Sequence, residues 1–261
     1  GLDALSISLK SLGLTHGDEV IVPSNTYIAS WLAISSIGAK IIPVEPDIKT
    51  YNINPELIEN KITPKTKAIM PVHLYGQPCN MTRIMEIAKN NNLYVIEDNA
   101  QGHLSKWNNS YTGTFGDINA TSFYPTKNIG AIGEAGAVTT NNLNLAEYVK
   151  LYRNYGSKIK YQNNIKGVNS RIDEIQAAII NVKLNYIVEM NNERIKNAKL
   201  YNDLLKNTDI ITPYNHPDSY HTYHLYVVRH TKRDSLQKYL YDKGVQTSIH
   251  YPIIPQNQKA Y

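Results

Sequence analysis

The chain has a single cysteine, Cys79, among 261 residues. One thiol excludes an intrachain disulfide and a cysteine-based zinc cluster, and it points to a reducing cytoplasm. Long apolar runs are missing as well: no segment approaches the roughly 18 apolar residues that a membrane-crossing helix needs. The N-terminus lacks the charged, apolar and small-residue order of a secretory leader. Nor is there a tract of one charge. The 27 Lys and Arg exceed the 22 Asp and Glu by five, but they are scattered and cannot track a nucleic-acid backbone. A solvated surface accounts for them, and an anionic small substrate would suit the same excess. There is no P-loop, no zinc spacing and no serine nucleophile elbow.

What is present suffices for a large folded core: 42% of residues are hydrophobic and 19% charged, which argues against disorder. Short β-like runs alternate with helical stretches, the pattern of parallel strands joined by crossover helices. Leu2, Leu5, Leu9 and Leu12 stand at helical spacing and stop at Gly13. Strands are expected over Glu19 to Val22, Lys40 to Val44, Lys67 to Val72, Leu93 to Asp98, Ala120 to Tyr124 and Ala135 to Thr140. Helices are expected over Asn25 to Ile37, Pro55 to Lys61 with Asn54 as cap, Thr82 to Asn90, and Asn144 to Tyr152.

Residues 1–170 thus read as one α/β domain, 171–207 as a long, bent connecting helix, and 208–261 as the start of a smaller α/β unit. In that unit Tyr223 to Val228 and Val245 to Tyr251 look strand-like and Arg233 to Asp242 looks helical. The unit looks unfinished, and with Gly1 at one end and Tyr261 at the other the expectation is a fragment trimmed at both ends.

In open α/β sheets the ligand lies beyond the carboxyl ends of the strands. Three such ends carry unusual residues. Glu97-Asp98-Asn99-Ala100-Gln101 places a carboxylate at one strand mouth, Ser122-Phe123-Tyr124-Pro125-Thr126-Lys127 a hydroxyl and an amine at another, and Pro23-Ser24-Asn25-Thr26-Tyr27 an aromatic face at a third. A partly desolvated amine loses its proton more readily, and the neutral form can condense with an aldehyde. A pyridinium cofactor that serves as an electron sink needs a carboxylate beside its ring nitrogen, a phosphate anchor, a flat stacking partner and such an amine. Asp98, Ser122, Tyr27 and Lys127 supply these in turn. Read singly they are bland: Asp98 could cap the following helix, and Ser122 and Tyr27 could be ordinary strand-end and helix residues. His73 and His103 read as satisfied structural histidines. Gly130, Gly133 and Gly136 are spaced wrongly for a dinucleotide fingerprint and read as backbone clearance near a cofactor.

At these residues the chain resembles the DegT/DnrJ/StrS family of pyridoxal-phosphate-dependent sugar aminotransferases, a branch of fold type I. The resemblance runs through Gly17 to Pro23, Pro71 to Gly76, Glu97 to Gln101, Ser122 to Lys127 and Asn169 to Glu174. It implies a large domain with a mostly parallel sheet flanked by helices, followed by an incomplete small α/β domain. It makes Lys127 the lysine that carries pyridoxal 5'-phosphate and Asp98 the partner of the ring nitrogen. Gln101 would contact the ring hydroxyl, and Tyr27 would stack on the ring where many relatives use another aromatic or a histidine. Ser122 would hold the phosphate with the backbone amides of Leu2 and Asp3, a role that a helix N-terminus favours.

Asn169 matches an asparagine that reaches the phosphate from a neighbouring subunit, which implies a homodimer. His250 and Tyr155 take substrate-side roles by the same resemblance. No metal is implied. Glutamate is the implied donor, and the stretch from Arg153 to Tyr161 looks most like enzymes that aminate the 3-keto position of dTDP-linked 6-deoxyhexoses; 4-keto enzymes share most of the scaffold. Sugar dehydratases of the same fold replace the lysine with histidine, against which Lys127 argues. A non-catalytic binder of cofactor or nucleotide sugar is the alternative from another class.

Overall fold

A computed structural model describes residues 1–261. The first domain is a six-stranded sheet ordered β2-β1-β3-β4-β7-β8, built from β1 (Glu19–Pro23), β2 (Lys40–Val44), β3 (Thr66–Ile69), β4 (Tyr94–Asp98), β7 (Ile118–Ser122) and β8 (Gly136–Thr139). Neighbouring strands run parallel except β7 and β8, which are antiparallel. Successive side chains serve opposite layers. Val20, Val22, Met70 and Ile96 pack with α1 (Leu2–Ser11) and α2 (Ile28–Ser36). Ile21, Ile69 and Val95 pack with α3 (Met81–Asn90) and Trp107. Burial on both faces is why these strands read as continuous apolar runs. Two minor hairpin strands, β5 (Lys106–Trp107) and β6 (Ser110–Tyr111), follow β4, and α4 (Leu143–Tyr152) follows β8. Another small hairpin, β9 (Ser157–Ile159) with β10 (Gln162–Asn163), closes the domain.

The expected doubly wound sheet is present, with corrections at its edges. Pro55 to Lys61 forms two 3-10 turns instead of an α-helix, although Asn54 does cap it through the Glu56 N–H. The long helix is two helices, α5 (Glu174–Leu184) and α6 (Ile187–Leu205), broken at Asn185 and Tyr186. The helix α7 (Arg233–Asp242) lies where its periodicity predicts.

The strand-like segments of the C-terminal unit are not strands. Tyr223 to Val228 has no ladder; Thr222 and Leu225 donate their N–H groups to the carbonyls of Gly76 and Tyr75. Val245 to Tyr251 is irregular and largely exposed, because a strand needs a partner to accept its backbone bonds. A two-residue strand of the C-terminal segment, β11 (Ser219–Tyr220), pairs with β5 of the first domain. No helix is long and apolar enough to cross a membrane.

Candidate active site

The mouth of β4 sets the floor of the site. Asp98 is buried; its Oδ2 accepts from the Ser30 hydroxyl at 2.8 Å and its Oδ1 from the Ala100 N–H at 3.1 Å. The second bond is the local turn expected of an aspartate before a loop. Ser30 lies on α2, is buried, and in turn meets the Thr26 hydroxyl. Three residues on, Gln101 accepts the Tyr75 N–H at 2.6 Å and donates to the Tyr251 hydroxyl at 3.2 Å. Tyr75 sits at φ 61, a left-handed conformation that costs a non-glycine residue and that this side-chain acceptor helps to hold.

Lys127 follows the next strand mouth, on an irregular segment. Its Nζ has no hydrogen-bond partner within the chain, and burial, opposed by the nearby Asp98 carboxylate, lowers its pKa from the usual lysine value. His103 and His224 also face it. Burial, with the Lys127 charge as a smaller contribution, pushes His103 down to about 4 and His224 down to about 3. Both are therefore neutral where lysine is charged. Lys127 is half-buried, and the charge of Asp98 is near enough to oppose the effect of burial on its amine.

Ser122 ends β7, buried, beneath the start of α1. A Cβ added to Gly1 would stand 2.7 Å from the Ser122 Cβ, and one added to Gly136 would stand 3.0 Å from the Gly1 nitrogen. Gly1 thus packs closely against both Ser122 and Gly136, with no side chain at either glycine. The free N–H groups and the positive dipole end of α1 point into this cradle, the arrangement that suits an anionic phosphate.

The remaining residues singled out from the sequence are partly gathered. Tyr27 caps α2, is 55% exposed, and lies 5.9 Å between ring centroids from Tyr251. His250 is held through its carbonyl by the Tyr75 hydroxyl at 2.6 Å, and its charge would reach His224. Asn169 and Tyr155 are not brought to Lys127. Asn169 is exposed, accepts from Arg171 Nε at 2.9 Å, and lines a groove of about 900 Å³ with Gly1, Leu2 and Asp3 of its own chain. Tyr155 is 51% exposed beneath the Arg171 guanidinium.

His73 is the satisfied structural histidine its sequence context suggests. Its Nδ1 accepts the Cys79 N–H, so its Nε2 donates to Glu97 at 2.8 Å. Sequence reasoning missed Ser30, Asn128, His224 and Tyr251. None belongs to a spacing pattern; only the packing of distant segments brings them here.

Compared with known proteins, residues 1–261 match the DegT/DnrJ/EryC1/StrS aminotransferase family. The chain belongs to this family. Like other DegT/DnrJ/EryC1/StrS aminotransferases it is an enzyme of amino-group transfer. It is 54% identical over 261 residues to a dTDP-3-amino-3,6-dideoxy-alpha-D-galactopyranose transaminase of Aneurinibacillus thermoaerophilus, an alignment covering 100% of this chain and 72% of the relative. Its fold superposes on the crystal structure of DesV from S. venezuelae, solved with a ketimine intermediate, with a TM-score of 0.98, 43% identity, and coverage of 100% of this chain and 70% of that one. It also resembles the Bacillus subtilis protein ntda with bound cofactor PMP, at a TM-score of 0.90, 37% identity, and coverage of 99% and 60%.

Proposed function

We propose that this aminotransferase uses pyridoxal 5'-phosphate to aminate a nucleotide-linked keto sugar, with the 3-keto position of a dTDP-linked 6-deoxyhexose as acceptor and glutamate as donor. The observation that carries the reading is the desolvated Lys127 amine facing the buried Asp98 carboxylate across two adjacent strand mouths. The residues fit the cofactor: the side-chain-free cradle at Ser122 and the start of α1 has the donors for a phosphate. The 54% identity to a transaminase named for a 3-amino sugar supports the position on the ring.

When bound, the cofactor supplies an electron sink that stabilises negative charge on the carbon losing its proton. The chain's own residues do the rest. Asp98, fixed by Ser30 and the Ala100 N–H, sets an anion where the ring nitrogen must stay protonated. Lys127 Nζ would be the group that tethers the cofactor; burial lowers its pKa, which favours the neutral amine that could move a proton at the donor carbon. Ser122 and the amides of Leu2 and Asp3 would hold the phosphate, and Tyr27 would offer the ring a stacking surface. Gln101 orients the wall that carries Tyr75 and Tyr251 and stands for the ring hydroxyl. His250 and Tyr155 remain on the substrate side.

The same reading takes the working unit as a cytoplasmic homodimer in which Asn169 of one subunit serves its neighbour's phosphate. Borohydride reduction of protein incubated with pyridoxal phosphate, followed by peptide mass mapping, should place the adduct on Lys127. An unmodified Lys127 removes the assignment. Product analysis by NMR, expected to find the new amine at C3, decides between 3-keto and 4-keto acceptors.

A further inference from the structure

The segment that bears Lys127 is anchored at its ends, where Phe123 exchanges backbone bonds with Ala135 and Ala131 and Lys183 donates to the Gly130 carbonyl. From Phe123 to Gly130 there is no strand or helix, and the backbone makes a turn bond from Lys127 N–H to the Tyr124 carbonyl at 2.8 Å. An amine on such a segment stays desolvated only if something outside the segment fixes it. The structure supplies a buried polar network that does this. Asn128 and Asn191 are each 1% exposed. Asn191, on α6, accepts the Asn128 side-chain amide at 2.7 Å and donates its own to the His103 carbonyl at 3.1 Å.

With its Nδ2 committed as donor, Asn128 accepts through Oδ1, so His224 Nδ1 carries the proton in their 3.1 Å bond. His103 completes the bracket: its Nδ1 accepts the Ile129 N–H at 3.2 Å, which leaves Nε2–H to donate to the Thr121 hydroxyl at 2.9 Å. The two residues that follow the amine are thus tied, Asn128 directly and Ile129 through His103, to α6, which also holds the His224 carbonyl through Arg194.

We propose that Asn191 is a positioning residue for Lys127, acting through Asn128 and the His103 carbonyl, so that α6 sets where the amine sits and keeps it from water. This rests on the reading of Lys127 as the working amine. The titratable groups that act on Lys127 are Asp98 from the end of β4, His103 from the following turn and His224 from the C-terminal segment. Neither Asn191 nor Asn128 titrates. Breaking their bond therefore acts on the amine through solvation, not through an added or removed charge.

The test labels Lys127 in the full-length, cofactor-free protein with limiting acylating reagent across pH and reads the site by peptide mass mapping. Asn191→Leu should raise the labelling midpoint by about one pH unit toward that of a free lysine, a tenfold smaller neutral fraction at a given pH. In the loaded enzyme, kcat should fall about tenfold with KM for the keto sugar within about twofold, the signature of a misplaced reacting group. A wild-type midpoint, whatever happens to the melting temperature, overturns the proposal and leaves the network a structural strut.

Should Asn191→Leu fail to fold, two variants on the far side of Asn128 decide. His224→Leu loses the donor and should raise the midpoint; His224→Asn, which keeps an N–H where Nδ1 stands, should restore it. Equal midpoints in the two overturn the proposal. Labelling does not depend on the cofactor, so a missing borohydride adduct would sink the assignment of Lys127 without touching this comparison.

Discussion

At the scale of single residues, the chemistry depends on carboxylates that would be costly to bury without donors. Glu97 is fully buried beside Asp98. Burial alone would push its pKa up, but the His73 hydrogen bond, with the N–H groups of Gly116 and Gly113, outweighs it and holds the carboxyl below its ordinary range. This clamp fixes the end of β4, which also carries Asp98. Glu97→Gln would turn an amide N–H toward donors that need an acceptor. It should destabilise the protein by about 1–3 kcal/mol for each buried donor that loses its acceptor, as measured in urea unfolding. Ser30→Ala should leave the fold intact but remove a 2.8 Å bond to Asp98. Hydrogen bonds to charged groups contribute about 1.5–3 kcal/mol, so steady-state kinetics should show kcat reduced about tenfold or more.

At the scale of elements, α1 does two jobs: Leu5 and Leu9 bury its inner face in the core while its N-terminus overhangs Ser122. Gly136 on β8 is the spacer. A methyl there would meet the Thr121 carbonyl at 2.9 Å and the Gly1 nitrogen at 3.0 Å, so Gly136→Ala must push β8 and α1 apart at a cost of about 1–3 kcal/mol. Pyridoxal-phosphate affinity, measured by equilibrium dialysis, should fall about tenfold; unchanged affinity would show that this junction does not hold the phosphate. The central strands were legible because both faces are buried, which leaves an apolar run in the sequence. The segments at Tyr223 and Val245 were misread for the converse reason. Leu225 and Val227 are apolar because they pack on Leu74 and Tyr75, and periodicity does not distinguish packing from pairing.

At the scale of the whole molecule, three buried histidines tie stability to pH. His103 titrates near about 4, and His221 and His224 near about 3, each lowered chiefly by burial from the usual 6.5. In the unfolded chain they take protons as the pH falls through 6.5; in the folded protein they do not until the lower values are reached. Stability is thus full above about 6.5 and declines below it, each histidine contributing about 1.4 kcal/mol per pH unit down to its folded value. Urea unfolding at about pH 7 and about pH 5 should show this loss, and His221→Phe should flatten it by one histidine's share. Insensitivity to pH over that window would mean that the rings are hydrated.

The letters of the chain were enough to establish the alternating α/β plan, the family, and the residue types needed by the chemistry, because strand burial and short-range motifs leave local traces. Lys127, Asp98 and Ser122 were singled out on those motifs. Only the folded arrangement decides the support of Asp98 by Ser30 of α2, the bonds of Asn128 to Asn191 and His224, and the placing of Asn169 on one groove with the start of α1. Such contacts join residues tens of positions apart with no periodicity. They arise because buried donors and acceptors must find partners wherever the packed elements happen to offer them.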